Sequence, residues 1–505
     1  MNVQAEALNG VRLTTVLQGD AQVLASEDNL LQGLAIDSRE VRPGYLFLAC
    51  RGSQHHGLEY LSEAIRRGAV AVAYDPADAE PYLAALRNIP AYAIRDLGQC
   101  AGVLAARFYA DPSAAQHVTA VTGTNGKTSV SLITAQVLAE LGNPCGVLGT
   151  IGYGLYGKLE TPTHTTPDAV HVQSWLAQFR DLGARHISME ASSHALDQGR
   201  LAGVHVAVAV FTNLTRDHLD YHGDMQTYGA AKRRLFRLPG LKHAVVNLDD
   251  PFGRELAENL SPGVKLIGYT VSGMRIPHAR MLRARDVVLH PGGMNFDITG
   301  DWGSGHVDSR LLGEFNVANL LAVLGALLAM NIPFADALHA ISRARTVPGR
   351  MECFGGGQDQ PLVVVDYAHT PDALEKALIA VRAHCRGRLW CVFGCGGERD
   401  RGKRPQMARI AERLADRIVV TDDNPRGEDG DVIVNDILAG FERRSQVQTE
   451  RERAHAVAMA LHAASPGDAV LVAGKGHEDY QIIGGQNLPY SDRDTVARLL
   501  KGGRA

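Results

Sequence analysis

Apolar residues come in short runs, each closed by glycine or a polar cluster, and the rhythm of those runs divides the chain into three blocks. The first reaches about Asp96 and contains strand-length pieces at Tyr45–Ala49 and Ala69–Tyr74. The second opens near His117 with the strand VTAVTG and passes into a helix over 127–141. It continues through HISME, VAVAVFTNL and HAVVNLDD with helix-length segments between them, and closes with a helix read from GEFNVANLLAVLGALLAM. Pro348-Gly349 then breaks the chain as a hinge. The third block restarts the alternation with PLVVVDYAHT, RLWCVFGCGG, RIVVTDDNPR and DAVLVAGKGHE. Strand–helix alternation of this kind predicts α/β architecture with parallel sheets, in domains over 1–98, 99–347 and 348–505. In both later blocks the unusual polar residues directly follow an apolar strand. Ligands of open parallel sheets bind in the crevice beyond the strands' carboxyl ends, so a site in a cleft between these two domains is expected.

A length of 505 residues fits about three domains, and a hydrophobic fraction of 45% supplies several buried cores. The net charge of −4 gives no global basic field for nucleic acid or anionic membrane, so anionic substrates require local basic groups. The start MNVQAEALNG has neither the cationic residues nor the apolar stretch of a secretory signal, and the apolar helical run 320–330 is too short to span a bilayer. Seven scattered cysteines suit a reducing compartment; Cys391 and Cys395 lack a second pair nearby and read as ordinary thiols. A soluble, cytoplasmic, monomeric protein is expected.

The segment TGTNGKTS at 122–129 follows a strand and opens a helix. Gly123 and Gly126 allow a tight turn that aims backbone N–H groups at an anion. The helix N-terminus and Lys127 add positive charge, and the Thr128 hydroxyl suits magnesium. The pattern G-x-x-x-x-G-K-[ST] requires glycine at 121, where this chain has Val121, so GTNGKT is a narrower variant. ATP binding through Gly123, Thr124, Asn125, Gly126, Lys127, Thr128 and Ser129 is expected.

GTNGKT resembles the ATP loop of the Mur ligase family, which also includes folylpolyglutamate synthetases. Further family-like motifs follow in order: MEASSH from Met189, TNLTRDHLD from Thr212, YGAAKRRLF from Tyr228, PGRME from Pro348, DYAHTPD from Asp366, GGERDRGKR from Gly396, DNPR from Asp423 and GKGHE from Gly474. The resemblance covers essentially the whole chain. It implies an N-terminal UDP-binding domain, a central P-loop ATPase domain and a Rossmann-like C-terminal domain that holds an amino acid. The implied reaction is ATP-dependent addition of meso-diaminopimelate to the D-glutamate carboxylate of UDP-MurNAc-L-Ala-D-Glu through an acyl phosphate, in peptidoglycan synthesis.

The resemblance also implies roles for individual residues. Glu190 and His218 match magnesium ligands. Lys232 matches a lysine that carbon dioxide converts to a carbamate (N6-carboxylysine), trading a cation that repels magnesium for an anion that can bind it. Lys127, Glu190, His218 and Lys232 form the implied catalytic set. Thr165, Thr166, Ser192, Gln198 and Arg200, in THTTP and SSHALDQGR, match positions that hold the UDP-muramoyl peptide; His164 stands where some members carry asparagine. Asp37-Ser38-Arg39 resembles the uridine segment, with Ser38 carried over, whereas QHHGLE from Gln54 departs from the usual aspartate-containing form. Asn316, Asn319, Arg350 and His369 match residues near the nucleotide. Asp423, Asn424, Pro425, Arg426, Arg399, Gly474 and Glu478 match the diaminopimelate site, where Arg426 and Arg399 fork onto the distal carboxylate and Glu478 accepts from the ammonium.

Each position also has a plainer reading: a solvated lysine for Lys232, a strand-end carboxylate for Glu190, a surface helix for Asn316 and Asn319, a turn for DNPR. A nicotinamide-dependent dehydrogenase is the rival enzyme class, because GCGGERD from Gly394 mimics part of a dinucleotide fingerprint. Its G-x-G-G spacing, with Arg399-Asp400 where the third glycine belongs, leaves GTNGKT unexplained. A non-catalytic nucleotide-binding protein would be free to lose Lys127, Glu190, His218 or Lys232, and all four are present. Arg426 argues against a lysine-adding or folate-extending member.

Overall fold

The computed structural model describes residues 10–52, 55–162, 164–290, 292–357, 359–444 and 447–502. The chain divides into two compact units, one of residues 1–281 with 322–332, the other of 282–321 with 333–505.

The first unit holds two parallel sheets. Near the N-terminus, Gly33–Ala35, Tyr45–Ala49, Ala69–Tyr74 and Ala91–Ala93 pair in parallel in that order. Tyr45–Ala49 is buried along its whole length, as a strand covered on both faces must be. The larger sheet runs Cys145–Gly149, His186–Glu190, His117–Thr122, Val206–Phe211, His243–Asn247, Lys265–Thr270, all parallel, with two antiparallel strands, Gly152–Leu155 and Lys158–Glu160, beside Cys145–Gly149. His117–Thr122 therefore sits between the strands that end in Glu190 and Phe211. Val118, Ala120, Met189, Ala209 and Phe211 share one core with Val172, Leu176 and Phe179 of the helix Ala169–Asp181. Asp168 caps that helix and accepts from its His171, whose other ring nitrogen lies 3.5 Å from Glu40 beside the short helical turn Ser38–Glu40.

In the second unit, Arg280–His290, Gly293–Gly300 and Gly303–Ser309 form an antiparallel meander. The other sheet is ordered Glu352–Gly355, Leu362–Asp366, Ala469–Ala473, Leu389–Phe393, Arg417–Val420, Val447–Thr449, parallel except for the first strand. Its four inner apolar strands are the four runs expected from the pattern. A hairpin of Tyr480–Ile483 and Gln486–Pro489 follows. Parallel sheets in an α/β setting agree with the expected class.

Several local expectations shift. The helix after the glycine loop ends at Glu140, one residue before the expected end, and a separate helix, Met225–Arg233, passes into a tighter turn over Arg234–Arg237. The helix Phe315–Ala329 is buried, with Asn316 and Asn319 only 5% and 7% exposed, so a surface helix does not explain those two asparagines. Cys391 and Cys395 are buried free thiols, and Cys395 packs 3.7 Å from the Met407 sulfur. Burial pushes the Cys395 thiol up to about 12, so it is inert at neutral pH. Among the described residues no helix is long and apolar enough to cross a membrane.

Candidate functional site

In the first unit the expected nucleotide loop stands at the carboxyl end of the central strand. Gly123 adopts φ +149° and Gly126 φ +86°, and a Cβ at Gly123 would overlap the Thr212 hydroxyl. The loop is tied to the end of the neighbouring strand: Thr212 donates to Asn125 O at 2.6 Å, Asn213 accepts from Asn125 N at 3.0 Å, and Thr124 N donates to Asn213 O at 2.8 Å. Lys127 folds back over the loop, its ammonium donating to the carbonyls of Gly123 at 3.0 Å and Thr124 at 2.8 Å. Thr128 and Ser129 lie in the first turn of the helix Lys127–Glu140.

On the other flank Glu190 ends its strand and is 1% exposed. One carboxylate oxygen accepts from Thr150 N at 2.7 Å, the other from the Thr128 hydroxyl at 3.0 Å. This buried carboxylate is therefore a fixed group, not a solvated strand end. Lys232 is likewise not solvated: it is 1% exposed, donates to Gly123 O at 2.8 Å, and lies 4.3 Å from the centre of the Tyr228 ring. Burial holds its ammonium well below the usual lysine range, and Lys127 on the same carbonyl lowers it further. Two lysines thus converge on one backbone oxygen. His218 adopts φ +53° at the head of the helix Leu219–His222, beside Asp217, with its ring 4.9 Å from His194 and 6.1 Å from Tyr228.

The expected sugar-peptide residues cluster next to Glu190. Thr166 donates to Glu190 O at 2.7 Å, Ser192 caps the helix Ser193–Asp197, and Arg200 donates to Thr166 O at 2.7 Å while forking onto Gln198. Thr165 accepts from the Thr150 hydroxyl at 3.2 Å. Thr163 and Gln54 lie outside the described residues. Ser38 is buried and donates to Glu63 at 2.9 Å, and the Asp37 carboxylate is taken up by Arg39.

In the second unit, strands ending at Asp366, Val420 and Ala473 bring DYAHTPD, DNPR and GKGHE to one edge. The Arg350 guanidinium lies over the Tyr367 ring at 4.7 Å, which also contacts His369 and His477. Burial lowers both histidines, His477 to about 4. Asn316 donates to Leu312 O and accepts from Asn319. At the DNPR loop, Asn424 donates to Glu478 at 3.0 Å, and Arg426, at φ +57°, donates to Gly397 O at 2.9 Å. Arg399 is exposed and Asp423 buried. Behind both loops buried Arg453, paired with buried Asp492 at 2.8 Å, donates to Asp422 O and to Ala473 O, the carbonyls just before Asp423 and Gly474.

Residues not singled out from sequence complete these clusters. Lys475 is fully buried between Asn424 and Glu478, 2.9 Å from each, and 3.7 Å from Asp423. Its signal was local, a lysine directly after an apolar strand. Thr150 had no such signal, because its partner Glu190 lies 40 residues away in sequence.

The families described as Mur ligase catalytic domain, Mur ligase middle domain and Mur ligase glutamate ligase domain match residues 30–109, 121–327 and 349–476. The chain belongs to the Mur ligase family. A relative from Alkalilimnicola ehrlichii is 49% identical over 97% of this chain and 99% of its own length, and one from Ectopseudomonas mendocina is 51% identical over 92% and 93%. Both are named UDP-N-acetylmuramoyl-L-alanyl-D-glutamate–2,6-diaminopimelate ligase. A solved structure of a ligase of the same name is 34% identical, covers 98% of this chain and 99% of its own, and superposes with a TM-score of 0.73. The motif series from GTNGKT to GKGHE is thus that of a Mur ligase along its full length.

Proposed function

We propose that this Mur ligase joins meso-diaminopimelate to the terminal D-glutamyl carboxylate of UDP-MurNAc-L-Ala-D-Glu, with cleavage of ATP to ADP and phosphate. The observation that carries the reading is identity of about one half, over nearly the whole chain, to relatives named for these two substrates. Three domains over 1–98, 99–347 and 348–505 would hold the uridine end, the ATP and the incoming amino acid, in a monomeric cytoplasmic enzyme.

The chemistry has two steps. The D-glutamyl carboxylate attacks the γ-phosphorus of ATP and ADP leaves, giving an acyl phosphate. The amine then attacks the acyl carbon, and the tetrahedral adduct collapses to the amide with loss of phosphate. A carboxylate is a poor electrophile, so ATP supplies the leaving group and the protein supplies position and charge. The backbone N–H groups of 126–129 at the helix N-terminus, together with Lys127, suit the phosphates. Asn316, Arg350 and His369 are the further nucleotide contacts.

Magnesium fits the residues present. The Thr128 hydroxyl and the Glu190 carboxylate, 3.0 Å apart, offer the hard oxygen donors that magnesium takes and would hold it. His218 and a carbamate on Lys232 would complete the protein's share. The metal would neutralise charge on the transferring phosphoryl group. The buried amine of Lys232, held toward its neutral form, is the species that adds carbon dioxide. Thr165, Thr166, Ser192, Gln198, Arg200 and Ser38 are the nucleotide-peptide contacts. Arg399, Asp423, Asn424, Pro425, Arg426, Gly474 and Glu478 take the amino acid, with the two arginines on its distal carboxylate.

Phosphate release from ATP in the presence of UDP-MurNAc-L-Ala-D-Glu, compared with meso-diaminopimelate, L-lysine and no amine, tests the proposal. Release that requires meso-diaminopimelate and yields a UDP-tripeptide is expected. Equal turnover with lysine would overturn the choice of amino acid, and no turnover with any amine would overturn the substrate pair.

A further inference from the structure

Arg404 carries one of the largest side chains in the molecule with no exposed surface. Its guanidinium forks onto Glu428, at 2.8 and 2.7 Å, and donates to Asp436 at 2.8 Å and to Gly396 O at 3.3 Å. Asp436 belongs to the helix Gly430–Leu438, and the other two partners come from two loops. Gly396 begins GGERD, the loop that carries Arg399; Glu428 stands two residues after Arg426 in the loop that carries DNPR. The loops are joined directly as well. Glu428 accepts from Glu398 N at 3.0 Å, Gly397 N donates to Asn424 O at 2.9 Å, and Arg426 donates to Gly397 O at 2.9 Å. The fit allows no spare atom, since a Cβ on Gly397 would overlap Pro425 O. Arg404 holds the Glu428 carboxyl far below the usual carboxylate range, at about 2, so the pair stays charged throughout the working pH range.

We infer that Arg404 is a positioning residue for amino-acid selection: its fork to Glu428 and Gly396 sets the distance between Arg399 and Arg426, and so the geometry that reads the substrate's distal carboxylate. This rests on the reading of these loops as the diaminopimelate site. The chemistry explains why arginine is required. Lysine at 404 would keep the charge but could not satisfy Glu428 bidentately while also reaching Gly396 O. A small displacement of either arginine head is then felt in recognition, because two forks must meet one planar carboxylate.

The test uses the full-length enzyme with Arg404→Lys and Glu428→Gln, alone and combined, beside Arg426→Ala. Each Arg404 or Glu428 variant is expected to raise KM for meso-diaminopimelate about 10- to 100-fold. The kcat and the KM values for ATP and UDP-MurNAc-L-Ala-D-Glu should stay near parental, and discrimination against L-lysine should fall. The double variant should be little worse than either single one, because both break the same contact. An unchanged KM for meso-diaminopimelate in folded variants would overturn the inference, as would a parallel decline of every kinetic constant with Tm, the mark of a purely structural residue. If Arg426→Ala raises that KM and the Arg404 and Glu428 variants do not, the inference fails and the assignment of the site stands. If Arg426→Ala leaves it unmoved, the assignment itself fails and the inference with it.

Discussion

Replacing Lys232 separates a structural lysine from one that works as a carbamate. Lys232→Ala deletes a fully buried side chain, and the accepting carbonyl of Gly123 keeps Lys127 as a donor, so no buried acceptor is orphaned. The lost hydrogen bond costs about 1 kcal/mol, and truncation of a buried long side chain to alanine typically about 2–5 kcal/mol. Removing an amine that burial already penalises offsets part of this, so the net loss is smaller than those two costs together and inside the ~5–15 kcal/mol that holds a domain folded. Lys232→Met keeps the stem volume, and its stability should lie within about 1 kcal/mol of the parent. Activity behaves differently. Loss of one preorganised charge-stabilising group lowers kcat about 10²- to 10³-fold in both variants. Phosphate release and thermal unfolding are measured together, with and without formate, acetate or propionate. A short carboxylate should restore turnover to Lys232→Ala, whose cavity can hold it, and not to Lys232→Met, whose stem fills the space. Near-parental kcat in Lys232→Met, or equal rescue of both variants, would refute the carbamate.

Three further predictions concern positions away from that lysine. Gly123→Ala forces a side chain into a left-handed backbone and onto the Thr212 hydroxyl, so ATP affinity measured by calorimetry should fall at least about tenfold; retained affinity would discredit the loop. Asp492→Asn leaves the Arg453 guanidinium buried without its counter-charge, and urea unfolding should show a loss of about 3–5 kcal/mol; a loss under about 1 kcal/mol would contradict this. Burial opposes the His171 cation, yet Asp168, with Glu40 beyond it, raises its pKa above the ordinary ~6.5. The stability it confers is therefore complete below about pH 6.5 and lost as pH rises through the folded value. The Tm gap between parent and His171→Gln should shrink from acid to alkaline pH, and a gap that widens would reverse the assignment.

Much of the fold was legible because its parallel strands are buried on both faces and so read as unbroken apolar runs: LVVVD, LWCVF, RIVV and AVLVA all became strands. The meander over 280–309 was not legible. Arg280–His290 carries three arginines and an irregularity between Arg285 and Val288 that breaks its alternation, and Gly303–Ser309 buries only Val307 and Ser309. In the site, the glycine loop was readable since its turn, its lysine and its helix start are adjacent in sequence. Thr150 under Glu190, Thr212 under Asn125 and Arg404 under the two loops were not, because each acts across the sheet or between loops.

The order of strands in the C-terminal sheet bears on how the protein is made. Leu362–Asp366 and Leu389–Phe393 do not pair with each other; Ala469–Ala473 lies between them and pairs with both. The keystone of the sheet is therefore synthesised roughly 100 residues after the first strand it must join, several seconds later at ribosomal rates of about 5–20 residues per second. Until then the earlier strands expose complementary apolar edges that invite mispairing with each other or with neighbouring nascent chains. A stop codon before 469 would thus take out the middle of the sheet, and the product should enter proteolysis or aggregates, not persist as a shortened enzyme.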